Sequence, residues 1–269
     1  MRELEGNMKQ LLYYTKIWSM MAKNAFLNWS TNRNVLLVFL FGKLIRYAFS
    51  FGFLYFLVRG TNGFLGYSQN QVLFFTITFV LLDTVAQFFF RNVYSFRPMV
   101  ISGDFDLVLV KPLNALFRIL LGGPDPIDLI TIPPIIFVAI WIGALLHPTF
   151  FQVLSYIILL LNGFLIAAAF HIFVLGFGII TLEVDHMIMV YRDLTSMARF
   201  PVDIYKQPLR WILTFAIPIG IMFTVPAKAF EGYIGPLAII FSVVFGIVLL
   251  FFSLKFWNFA LKKYTSASS

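Results

Sequence analysis

The 269-residue chain contains no cysteine. That excludes disulfides, thiolate-bound metals, iron–sulfur clusters and cysteine nucleophiles, and leaves the compartment open, because a chain without thiols suits any redox state. Charge is scarce as well, at 12% of residues against roughly 25% in an ordinary soluble domain. A surface so poor in charge cannot be solvated by water, so a soluble enzyme core and intrinsic disorder are both excluded. Three histidines, His147, His171 and His186, are present, and none has the HExxH spacing of a metalloprotease. Glu183, Asp185 and His186 cluster in sequence, but near-adjacent side chains cannot converge on one ion without a special turn, so no metal site is expected. The one Gly-Lys pair, Gly42–Lys43, has Leu44 where a phosphate-binding loop needs Ser or Thr, and Leu37 where it needs its leading glycine. The opening MRELEGNMKQ lacks the basic head and apolar core of a cleaved leader, so insertion is expected to rely on internal segments.

What the chain does contain is apolar mass: 60% hydrophobic and 19% aromatic residues, 34 phenylalanines, and a mean hydropathy of +0.88. Its solvent must be mostly lipid, and at about 20 apolar residues per crossing the length accommodates about six spans. The expected fold is an all-α integral membrane protein. Residues 1–33 read as a basic amphipathic helix lying on the membrane surface, with Arg2, Lys9, Lys16 and Lys23 on one face and Leu12, Ile17, Met21, Phe26 and Trp29 around it. A six-span domain over 34–262 follows, with spans at about 35–58, 72–90, 127–146, 150–182, 209–225 and 237–259, and a polar tail at 263–269. Pro133 and Pro134 are expected to kink or break the third span, and the 33-residue fourth must tilt or protrude from a hydrocarbon core of about 30 Å.

The positions of the charges report orientation. Of the 20 Lys and Arg, five lie in 1–33, four in 91–118, four in 192–210 and three in 255–263. With six spans all four segments share one side, and the positive-inside rule then makes both termini and the loops 91–126 and 183–206 cytoplasmic.

Charges inside spans cost about 2.5 to 3.5 kcal/mol each at mid-helix unless paired or facing a cavity. Lys43 and Arg46 share a helix face in span 1, and Asp83 lies at a similar depth in span 2, so a Lys43 or Arg46 pair with Asp83 is expected, either structural or lining a polar path. His171 and Asn162 in span 4 are read as makers of interhelical hydrogen bonds.

Local motifs point further. Gly103, Asp106, Leu109, Lys111, Pro112 and Leu113 resemble the G-x-x-D-x-x-L-x-[RK]-P-L segment of a six-span bacterial subgroup of type-2 ABC transporter permeases. The stretch from Phe200 to Gly220 is similar to that subgroup's proline-marked approach to span 5, matching at Pro201, Tyr205, Pro208, Arg210 and Pro218. The resemblance covers the whole chain. It implies a transport subunit of an exporter in the bacterial cytoplasmic (inner) membrane, not an enzyme itself. A second permease subunit, identical or related, would pack beside it within the lipid, and ATP and Mg would sit on a separate ATP-binding subunit, with no cofactor in this chain and no nucleic-acid partner. It also implies that 97–118 acts as a coupling helix, for which Gly103, Asp104, Phe105, Asp106, Lys111 and Pro112 are the candidate contacts, and that Phe230–Gly235 forms a short re-entrant helix at the outer exit. The competing reading is an ion-coupled secondary transporter using Asp83 with Lys43 and Arg46.

Overall fold

The computed structural model describes residues 2–31, 33–60, 66–181 and 184–265, with side chains from Met8 onward except at Leu57 and Gly60. Residues 61–65, which follow the first expected span, Glu183, the Arg2 side chain and residues 266–269 of the expected tail lie outside the described residues. Among the described residues every regular element is a helix: α1 (Arg2–Ser30), α2 (Arg33–Gly60), α3 (Gln69–Phe90), α4 (Phe96–Ile101), α5 (Asp104–Leu109), α6 (Ala115–Leu121), α7 (Pro126–Ala144), α8 (Phe150–Thr181) and α9 (Val184–Ser196). Two short arms, α10 (Leu209–Ala216) and α11 (Gly220–Phe230), and a final α12 (Pro236–Lys262) complete the chain. Five of these helices, α2, α3, α7, α8 and α12, are long and apolar enough to cross a membrane, and the α10–α11 pair is bent by 76°.

Local chemistry sets the helix starts. Ser68 and Gln71 form a reciprocal capping box at α3. Asp125 accepts the Ile127 N–H, Pro126 takes the first position, and Asp128 sits in the first turn of α7 where the helix dipole favours a carboxylate. α7 runs on as one helix through Pro133 and Pro134, so the prolines do not break it. α8 is a single helix of 32 residues, about 48 Å long at 1.5 Å per residue.

The chain connections define two ends. Tyr67, His147 and Gly235 mark the upper end, where α2–α3, α7–α8 and α11–α12 are joined. Residues 91–125 and the C-terminus form the lower end, where Phe105 packs edge-on against Tyr264 at 4.9 Å. α1 also lies at the lower end, with Trp18 stacked on Phe89 and Tyr14 against Phe117.

In lipid, burial of apolar surface adds little to helix association, so close backbone approach and interhelical hydrogen bonds matter more. α8 and α12 meet this way. Asn162 Nδ2 donates to the Ser242 carbonyl at 2.8 Å, and a Cβ at Gly246 would overlap the Asn162 side chain. Around them Phe74, Phe90, Ile166 and Leu175 are fully buried, while Val38, Phe41, Phe49 and Phe56 leave α2 apolar on its outer face.

The fifth passage through the bundle differs from the span expected at 209–225. α9 starts at the lower end, where Val184 packs on Phe96 and Gly178. It climbs antiparallel to α8, with Tyr191 at 4.7 Å from His171. By Val202, whose N–H donates to Thr224 Oγ1 at 3.2 Å, and Asp203, which accepts from the Tyr67 hydroxyl at 3.1 Å, the chain has reached the upper end. α10 then descends, the chain turns at residues 217–219, and α11 rises again. Asp203 holds Arg210 at the start of the descending arm and Lys228 near the end of the rising one. The 209–225 segment is therefore a re-entrant hairpin opened from above, and the polar run 184–205 makes the passage instead.

Candidate functional site

The lower-end segment is anchored from within and exposed without. Gly103 adopts φ +80°, a left-handed conformation that glycine accepts without strain, and so turns the chain from α4 into α5. Ser102 donates to Asp104 at 2.7 Å. Phe105 is completely buried between Phe96, at 5.2 Å, and Tyr264, so it anchors the helix and is not free to dock against a partner. Asp104, Lys111 and Pro112 are exposed, and Gly103 and Asp106 are half-buried. Burial, with the Asp106 carboxyl beside it, pushes the Tyr264 hydroxyl up from its ordinary pKa. Leu107, Leu109 and Val110, the last 80% exposed, form the free apolar surface of the segment.

Inside the bundle the expected pairing is rearranged. Lys43 forms its ion pair with Asp128, which is buried in the first turn of α7. Arg91 reaches the neighbouring Asp125 at 3.6 Å. Asp83 instead accepts a hydrogen bond from Gln87 on its own helix at 2.7 Å. Arg46 stacks over Tyr47, 5.4 Å from the ring centroid, and the Tyr47 and Thr84 hydroxyls share a 2.8 Å hydrogen bond between α2 and α3. Asn162 does bridge helices, as expected, but His171 does not: its Nδ1 pairs with the Ala167 carbonyl one turn back at 2.8 Å, and its ring packs on Phe90 and Tyr191.

Arg46, Asp83 and His171 nevertheless converge. Together with Gln87, Arg192, Asp193 and Arg199 they line a cavity of about 680 Å³ between α2, α3, α8 and α9. Lys43 is not among its lining residues. The α9 residues were missed by a reading that made 183–206 a solvated loop. The available signal was the buried stripe Val184, Ile188 and Thr195, spaced by four and seven as on one helix face.

At the upper end, Asp203 is the hub. It is only 13% exposed and pairs with Arg210, with Lys228 at 2.6 Å, and with the Tyr67 hydroxyl. Burial and the adjacent carboxylate push the Tyr67 hydroxyl above its ordinary pKa. Beyond the hub, both carboxylate oxygens of Glu231 are buried without a hydrogen-bond partner among the described residues, and burial raises its pKa to about 8 despite Lys228 nearby. Glu231 closes α11 and Tyr233 donates an N–H to the Lys228 carbonyl at 2.9 Å. The residues after Phe230 thus form a tight turn, and the re-entrant feature expected at 230–235 lies earlier in the chain. Among the described residues no three His, Asp or Glu side chains are grouped to hold a metal ion.

Comparison with curated proteins and with solved structures gives no match. A family model described as "ABC-2 family transporter protein" matches residues 44–268, which takes in the cavity, the anchored lower-end segment and the re-entrant hairpin. With that match spanning most of an all-helical membrane chain, the protein belongs to the ABC-2 transporter family and is a multi-pass transport subunit of an ABC transporter.

Proposed function

We propose that this chain is the permease of an ATP-driven exporter, moving a hydrophobic or amphipathic compound outward by alternating access. The observation that carries the reading is the lower-end segment: a short helix fixed to the bundle by buried Phe105 while Leu107, Leu109 and Val110 stand free. A buried anchor with an exposed apolar crest transmits a rigid-body push, because interlocked helices move as units instead of deforming. An ATP-binding subunit gripping that crest from the cytoplasm, with ATP and Mg held on the subunit's own residues, would drive the bundle. Asp104, Lys111 and Pro112 are exposed beside the crest and complete the proposed contact.

The cytoplasmic assignment of the lower end, and of both termini, follows from charge. The basic residues of 1–33, 91–118 and 255–263 all belong to this end, whereas Arg59, Lys206, Arg210 and Lys228 belong to the upper one. A second permease subunit, the same chain or a relative, is proposed to pack beside the outward face of α2, and the inner membrane of a bacterium is the proposed location.

Co-expression with a phosphate-binding-loop ATPase tests the reading. Recovery of a complex whose ATP hydrolysis collapses in Leu107→Asp with Val110→Asp is the expected result. A permease that transports alone, or one whose complex is indifferent to these changes, refutes it. Labelling an Asp104→Cys variant from outside intact cells would refute the orientation separately.

A further inference from the structure

The central cavity has a charge pattern that the transport reading alone does not explain. Three guanidinium groups reach it from two helices, Arg46 from α2 and Arg192 and Arg199 from the α9 passage, against the carboxylates of Asp83 and Asp193. Asp83 accepts a hydrogen bond from Gln87 and feels the charges of Arg46 and Arg192, but among the described residues none of the three arginines is in direct ion-pair contact with a carboxylate. The position of Arg46 is not that of a side chain reaching for the membrane surface. It lies about halfway along the 28 residues of α2, about 20 Å from either end at 1.5 Å per residue, well beyond the reach of its own side chain. A guanidinium at that depth needs a cavity or a counter-charge.

Arg192 lies on α9 and Arg199 in the 3-10 turn that follows it at Met197–Arg199, and both line the cavity. Phe53, Phe79 and Phe200 line the wall beside the polar Ser50, Gln87, Thr195 and Ser196. Planar forked donors next to an aromatic wall suit a ligand with an anionic oxygen-rich head and a hydrocarbon body, since guanidinium binds carboxylate and phosphate bidentately and the wall accepts the chain.

We infer that this cavity binds an anionic amphiphile, with Arg46, Arg192 and Arg199 holding the phosphate- or carboxylate-type head group and the phenylalanine wall holding its tail. This rests on the transport reading in taking the occupant as the compound moved. The head-group chemistry is the same whether the amphiphile is dissolved or drawn from the bilayer.

Because the chain has no cysteine, a Ser196→Cys variant carries one environment-sensitive fluorophore at the cavity wall. The full-length labelled protein is placed in phosphatidylcholine nanodiscs and titrated with dodecyl phosphate, dodecyltrimethylammonium and dodecyl maltoside, with empty nanodiscs as blank. Dodecyl phosphate is expected to saturate the signal at a concentration at least tenfold below the other two. R192Q/R199Q should weaken it at least tenfold, and R192K/R199K should recover most of that loss. Equal response to all three probes, or undiminished binding by R192Q/R199Q, overturns the inference. R46Q, on a different helix, provides the same test should the double variant not yield monodisperse protein, and there a loss of less than threefold overturns it.

Adding phosphatidylglycerol to the nanodiscs separates the two sources. Competition with dodecyl phosphate that disappears in R192Q/R199Q assigns the site to a bilayer lipid, and absence of competition assigns it to a dissolved amphiphile. Selective binding by a protein that forms no ATPase complex would sink the transport reading and leave the site standing. A working ATPase complex without head-group selectivity would do the reverse.

Discussion

Asp203 joins three parts of the upper end, and replacing it with Asn removes one charge while keeping the shape. Two cations then lose their carboxylate. Arg210 is 45% exposed, so solvent screening limits its share to about 0 to 1 kcal/mol, as for a surface pair. Lys228 is 18% exposed and 2.6 Å away, between the surface case and the roughly 3 to 5 kcal/mol of a fully buried pair that loses one partner. A value of about 1 to 2 kcal/mol is reasonable for it. The Tyr67 hydroxyl donates to Oδ2, and an asparagine oxygen can still accept there, so that bond is largely kept. The expected total is a loss of about 1 to 3 kcal/mol, falling on the docking of the hairpin and not on the α8–α12 pair. Reversible unfolding of purified Asp203→Asn, Lys228→Met and the double variant in one detergent measures it. The cycle should give a coupling of at least about 1 kcal/mol between the two residues. Additive effects, or an Asp203→Asn protein as stable as the parent, would show that the hairpin is not held by this hub.

Three further outcomes are expected. Glu231 has a pKa raised to about 8, so the folded state holds its proton more tightly than the unfolded chain; its contribution is complete below about pH 4.5, declines as pH rises, and is gone above about pH 8. Melting temperature should therefore fall between pH 5 and 9, and Glu231→Gln should flatten that dependence; an unchanged slope in the variant contradicts the assignment. Lys43→Met should destabilise the fold by about 3 to 5 kcal/mol because Asp128 is left buried and unpaired, and removing both charges in Lys43→Met with Asp128→Leu should restore most of the loss, whereas Lys43→Met with Asp83→Leu should not. Phe105→Ala should lower stability by about 3 to 5 kcal/mol as measured by denaturant unfolding, while Leu107→Ala should leave stability within about 0.5 kcal/mol and lower the ATPase activity of the reconstituted complex; equal stability losses in the two would remove the distinction between anchor and crest.

Much of the frame was legible because short-range chemistry dictates it. Helix starts at Ser68 and Asp125–Pro126 can be read from capping residues alone, and the long apolar runs of α2, α3, α7, α8 and α12 announce themselves by composition. Partner choice was not legible. Lys43 and Asp83 lie at similar depth, but depth along two helices says nothing about their rotation, and it is the rotation of α7 that presents Asp128 to Lys43. In the same way Phe105 and Leu107 are both apolar residues of a short polar segment, and the packing of Phe96 and Tyr264, distant in sequence, determines that one is buried and the other free.

The fifth passage has a more general cause. Hydropathy measures readiness to face lipid, and a helix enclosed by its neighbours is not solvated by lipid. The apolar 209–225 segment attracted the assignment of a span, while α9, with Asp185, Arg192 and Asp193, did not. Asp185, in the first turn at the lower end, pairs with Arg97 at 3.1 Å, but Arg192 and Asp193, exposed to hydrocarbon, would each cost about 2.5 to 3.5 kcal/mol near mid-depth, and a 13-residue helix has few apolar side chains to offset that. α9 can pass through the bundle only if one face packs on α8 and the other opens on a polar space. Val184 and Ile188 supply the packed face, and the cavity shared with Arg46 and Asp83 supplies the polar space. The cavity is thus a condition of the topology as well as its consequence: filling it with apolar bulk, as in Ala86→Phe, should strand the α9 charges in a medium that cannot solvate them.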